Sequence, residues 1–90
     1  MLEREIEAYL RKRVKEAGGI AYKFVSPTNR GVADRVVCLP NGQTWFVELK
    51  SSVGKLTPLQ VQFAIAMSNL KQNYKLIRSK AEVDEWLLNT

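Results

Sequence analysis

Two β-like runs, Asp34–Leu39 and Gln43–Lys50, meet at Pro40-Asn41-Gly42, and that short turn constrains the chain more than any other feature. Proline is locked near φ −65°, so it cannot take the positive φ of a primed two-residue turn. It suits the first central position of a type I turn, which leaves Gly42 to supply the left-handed residue of a three-residue loop. On that register Leu39 pairs with Gln43, and stepping back along both strands brings Asp34 directly opposite Glu48. Lys50 lies two residues beyond Glu48, on the same face. A two-residue turn at Asn41-Gly42 would instead put the two acids on opposite faces.

Two carboxylates facing one another across a hairpin repel and cost stability. A divalent cation turns that cost into affinity, because Mg²⁺ is commonly held by one or two carboxylates together with phosphate oxygens and water. A lysine beside them is placed to neutralise charge on a reacting phosphate or to position the attacking water. The same acids could also be ordinary solvated sheet residues. Glu48 argues against that, since it interrupts the apolar Trp45-Phe46-Val47-Glu48-Leu49 of a central strand.

The rest of the chain supplies a frame for that hairpin. Leu2, Ile6, Tyr9, Leu10, Val14 and Ala17 recur at helical spacing and Gly18-Gly19 ends the run, which predicts a helix over Leu2–Ala17. Ile20–Val25 reads as a strand, followed by a loop of turn formers from Ser26 to Gly31. A second helix is predicted from Thr57-Pro58 to about Lys71, burying Leu59, Phe63, Ala64, Met67 and Leu70. Tyr74–Arg78 is a fourth strand. Ser79 caps a last helix carrying Val83, Trp86 and Leu87, with Glu82 completing a capping box. The order is α-β-β-β-α-β-α, an α/β fold around a small mixed sheet, in a single domain spanning residues 1–90.

Composition narrows the chemistry. The 90 residues contain one cysteine, Cys38, and no histidine. A lone thiol and no imidazole exclude an intramolecular disulfide, zinc sites of the usual kind and His-activated nucleophiles. Fourteen Lys and Arg stand against nine Asp and Glu, a balance suited to a polyanionic partner such as nucleic acid. No apolar run approaches the ~18 residues of a membrane span. The opening MLEREIEAYL is too acidic and amphipathic for a signal peptide. A reducing, cytoplasmic setting is therefore expected.

Gly31-Val32-Ala33-Asp34, Glu48-Leu49-Lys50 and Leu56-Thr57-Pro58-Leu59-Gln60, in that order, resemble the VRR-NUC branch of the PD-(D/E)XK nucleases. The likeness extends to the opening Glu3-Arg4-Glu5-Ile6-Glu7 and to Tyr22-Lys23-Phe24-Val25-Ser26-Pro27, and it looks closest to the stand-alone, phage-type members. It implies a restriction-endonuclease-like core that hydrolyses DNA with Mg²⁺, for which Mn²⁺ substitutes. By that likeness Asp34 and Glu48 are metal ligands, Lys50 is the catalytic lysine and Gln60 matches an active-site glutamine. A glutamate of the first helix is expected near the metal; Glu3 and Glu7 are both candidates, with Glu3 favoured as a ligand. Stand-alone members are similar to archaeal Holliday junction resolvases, which implies a homodimer acting on branched DNA in a phage-infected cell's cytoplasm. Ala33 departs from the usual proline before the aspartate, a backbone position that does no chemistry.

Several of these residues have structural readings as well. Thr57-Pro58-Leu59-Gln60 matches a capping box, so Gln60 can serve the backbone at residue 57. Glu7 can pair with Arg11 one turn on. Lys23 and Arg35 are candidates for phosphate contacts, and Arg11, Lys12, Arg13 and Lys15 form either a solvated face or a DNA-backbone contact. Trp45, Trp86 and Cys38 read as packing residues. The rival to a nuclease is a module of the same fold that binds nucleic acid without cutting it.

Overall fold

The computed structural model describes residues Met1–Thr90. Helix α1 spans Glu3–Glu16, followed by β1 (Ile20–Lys23), β2 (Arg35–Cys38), β3 (Thr44–Leu49), α2 (Pro58–Asn69), β4 (Asn73–Ile77) and α3 (Lys80–Leu88). The predicted order is confirmed. The first helix, the first three strands and the second helix are each shorter by a residue or two at one or both ends, and the fourth strand begins and ends one residue earlier than read. The four strands form one sheet in the order β1-β2-β3-β4. The first three are antiparallel, and β4 lies parallel to β3 because α2 carries the chain back across the sheet. No helix is long and apolar enough to cross a membrane.

Side-chain alternation splits the sheet into two unequal faces. Val37, Leu39, Val47, Leu49 and Ile77 join Ile6, Leu10 and Val14 of α1 and Val83 and Trp86 of α3 in one core cluster of ten buried residues. Trp45 meets Trp86 edge to face at 5.6 Å between ring centres, so both tryptophans are packing residues, as expected. Tyr9 donates from its hydroxyl to Asp84, and Arg13 pairs with the same carboxylate, tying α1 to α3.

The other face carries α2, and here the expectation of burial is overturned. Phe63 packs among Phe24, Phe46 and Tyr74, yet no residue of α2 is fully buried. Phe63, Ala64 and Met67 are half-buried and turn toward the sheet. Leu59 and Leu70 are 43% and 64% exposed, and Val61 and Ile65 are also exposed. The cause lies in the composition of the helix. Its twelve residues, PLQVQFAIAMSN, include no charge on any face. An apolar pattern of that kind satisfies a burial template all round the helix, while a single sheet covers only one side.

Caps and tight turns decide where the elements sit. Thr57 and Gln60 form a reciprocal capping box at the start of α2. Ser79 accepts from Glu82 N–H, but the Glu82 carboxylate accepts from Arg78 N–H rather than from residue 79, so the predicted second box is only half made. Gly31 has φ +84°, and a Cβ there would lie 2.5 Å from the carbonyl carbon of Leu59. The loop before β2 therefore rests directly on the first turn of α2. Gly31→Ala combines left-handed strain with a backbone clash and is expected to cost about 2–4 kcal/mol. Gly42 has the same φ but nothing within 4 Å of its would-be Cβ, so Gly42→Asn is the matched control, expected to cost under about 1 kcal/mol. Urea unfolding of both variants checks the contrast.

Candidate active site

The hairpin adopts the register read from its turn. Leu39 N–H donates to Gln43 O at 2.9 Å, Gly42 N–H to Leu39 O at 3.1 Å, and Gly42 has φ +84°. Arg35 pairs with Val47 and Val36 with Phe46, so the next pair outward is Asp34 with Glu48. The two-residue alternative is excluded. The acids lie on the α2 side of the sheet, at the end where β1 finishes, since Phe24 N–H donates to Asp34 O at 2.9 Å.

Glu48 is only 1% exposed, in a strand with neighbours on both sides. Loss of water raises its pKa first, and the hydrogen bond and charge of Asp34 add to that, pushing it to about 9. Lys50 opposes the shift with its positive charge, and Glu3 adds a smaller increment. At neutral pH the pair therefore shares a proton. One Asp34 oxygen accepts from Leu49 N–H at 2.8 Å, which fixes that carboxylate against the neighbouring strand. Lys50 N–H donates to Ile77 O at 3.1 Å, holding the lysine backbone in line with β3 beyond its last strand residue.

The remaining candidates separate. Glu7 is drawn away: its carboxylate accepts from Arg35 Nε at 2.9 Å. Arg35 alternates from Asp34 to the opposite face of the sheet, where it is 9% exposed and also donates to Ala21 O. It is not placed for a phosphate, and Glu7 does not pair with Arg11. Glu3, at the exposed start of α1, is the first-helix acid whose charge Glu48 feels. It does not close on the same point as the pair, since no group of three acidic, His or Cys side chains gathers tightly enough to hold an ion. The Gln60 side-chain oxygen is engaged by Thr57 N–H at 2.9 Å, so the capping reading holds and its amide NH₂ is left for other work.

Sequence reasoning missed Tyr74. It sits beside Phe46 in the parallel β3–β4 register, with a buried hydroxyl that has no hydrogen-bond partner. Burial first, then the charges of Glu48 and Asp34, push its pKa up to about 12. It is a neutral phenol facing the carboxylates. Nothing local in the sequence signals this, because the β3–β4 register depends on how α2 returns the chain.

The donor set fits a hard divalent cation. Two facing carboxylates, one of them buried and proton-sharing, offer oxygen ligands only, and a hard divalent cation held there would draw the rest of its shell from water and other oxygen donors. A cage of three protein ligands is not present.

No family model matches the chain. A curated relative described as "Putative nuclease p44", from Acyrthosiphon pisum secondary endosymbiont phage 1, is 55% identical over 60 residues. The match takes in 67% of this chain and spans 64% of that relative's length. A solved structure described as a VRR_NUC domain superposes with a TM-score of 0.88 over 94% of this chain and 92% of its own, at 28% identity.

Proposed function

We propose that the chain is a member of the VRR-NUC family, a reading supported by its likeness to a VRR_NUC domain and to a putative phage nuclease, and that it is a metal-dependent endonuclease that hydrolyses phosphodiester bonds in DNA. One observation carries the reading. Glu48 is buried in a central strand directly across from Asp34, a placement of two acids that weakens the fold unless it serves a ligand. Asp34 and Glu48 hold Mg²⁺, with Mn²⁺ as a substitute, and Glu3 lends charge from the rim. When bound, the cation supplies Lewis-acid polarisation of the phosphate and a nucleophilic water. The chain's own residues do the rest. Lys50 sets a positive charge beside the carboxylates, where it offsets the charge that builds on phosphate oxygens as the bond breaks. The Gln60 amide NH₂ is free to donate to a phosphate or to the attacking water. Tyr74 closes the inner wall and keeps the carboxylates out of bulk solvent.

The preferred substrate is branched DNA such as a Holliday junction, cut by a homodimer. The uncharged outer face of α2 supports the homodimer. Val61 and Ile65 are 41% and 54% exposed and can meet their twofold mates without like-charge repulsion in a chain of net charge +5. Val61→Glu with Ile65→Glu is expected to weaken self-association at least tenfold in sedimentation velocity while leaving the helix content unchanged.

The test is cleavage of labelled four-way junction, flap, linear duplex and duplex RNA with Mg²⁺, with Mn²⁺ and with chelator. Metal-dependent cutting that favours the junction supports the full reading. Cutting without that preference removes the branched-DNA part. Binding without cutting under every condition sinks the nuclease in favour of a binding module.

A further inference from the structure

Cleavage chemistry leaves the basic side of α1 unused. Arg4, Arg11 and Lys15 follow one another at steps of seven and four residues, within about 40° of one helical stripe, and Lys12 flanks them. All four are exposed and none is in an ion pair. The one acid positioned to neutralise Arg11 is committed to Arg35 instead. Arg13, the remaining basic residue of this helix, belongs to the other side, with Glu16 and Asp84.

The stripe borders a concave groove of about 540 Å³ between α1 and β1, lined by Arg11, Lys12 and Lys15 on one wall and Ile20 and Ala21 on the other. β1 is an edge strand. Because Phe24 N–H donates inward to Asp34, the alternation of an antiparallel ladder turns the N–H of Ala21, which lines the groove, outward from the sheet edge. Three basic side chains on one wall and an outward backbone N–H on the other make a surface for phosphates. Its direction is fixed as well. The start of α1 and the end of β1 lie at the Asp34–Glu48 end of the sheet, and Lys15 and Ile20 lie at the far end. From Arg4 to Lys15 the helix rises about 16 Å, roughly five base-pair steps of a duplex.

We propose that this groove grips one duplex arm of the DNA substrate, its phosphate backbone running from the carboxylate pair along α1 to Lys15. The proposal rests on the nucleic-acid reading above and adds where the arm lies.

The test is equilibrium binding of a labelled 20-base-pair duplex, in chelator, over a range of salt concentrations. Arg11→Gln with Lys15→Gln is compared with wild type and with Lys75→Gln plus Lys80→Gln, which removes the same charge elsewhere. The groove variant is expected to bind at least tenfold more weakly, with a log–log salt slope lower by about 2, close to 0.9 for each lost phosphate contact. The control should stay within about twofold of wild type. Unchanged affinity and slope in the groove variant, or an equal loss in the control, overturns the proposal. Wild-type protein that binds in this pattern yet never cuts DNA removes the nuclease reading and leaves the groove standing. Wild type with no affinity for DNA removes both.

Discussion

Lys50→Ala is expected to lower the rate of DNA cleavage by about 10²–10³-fold, the usual effect of removing one positioned charge from a reacting centre. The fold should survive. The Lys50 side chain is half-exposed, and its one bond to β4 is made by the backbone N–H, which alanine keeps. Stability in metal-free buffer at low pH should be nearly unchanged, since a lysine beside a protonated acid gains nothing there. DNA affinity at moderate salt should fall by much less than the rate, since one cation among 14 Lys and Arg contributes little to overall attraction. Single-turnover cleavage with saturating enzyme, alongside binding in chelator, separates the two. A loss confined to binding would move Lys50 out of the chemistry.

Glu48→Gln is expected to abolish cleavage and to stabilise the metal-free protein. The sign follows from the raised pKa. Unfolded, Glu48 ionises near the ordinary glutamate value of 4.5; folded, it keeps its proton up to about 9. The folded state thus holds the extra proton across that window, so the contribution of Glu48 to stability is full below pH 4.5 and is lost progressively as pH rises toward 9. Glutamine is neutral at every pH and its amide can donate to Asp34 in place of the shared proton. At pH 8 the variant should melt about 5 °C higher than wild type, which corresponds to ~1 kcal/mol for a domain of this size. The difference should shrink toward zero near pH 4.5. A variant that melts lower at pH 8, or a gap that ignores pH, would mean that the pair is structural.

These effects come from residues the sequence made legible to different degrees. The Asp34–Glu48 pairing could be read because Pro40 and Gly42 leave the hairpin one comfortable turn, and a strand period of two propagates that register without further assumptions. Gln60 could be read as a cap because its partner Thr57 is three residues away. Glu7 was harder. Its proper partner is not the local Arg11 but Arg35, 28 residues along the chain. The signal was present all the same: if Asp34 faces the site, the next residue must face α1. Helix α2 misled for a physical reason, because a sequence lacking charge on every face looks the same whether a second layer or a second molecule covers it. Tyr74 was out of reach, since parallel pairing through a helix crossover leaves no local mark of register.

The central claim is that the Asp34–Glu48 pair exists to take a divalent cation, and calorimetric titration of Mn²⁺ into the protein at pH 7 tests it most directly. Two buffers of different ionisation enthalpy count the protons released. A saturable site should appear, with about one proton displaced per ion because the ligand must lose the proton it shares, and Glu48→Gln should lose both binding and release. Binding of equal strength in the variant, or none in the wild type, would contradict the account.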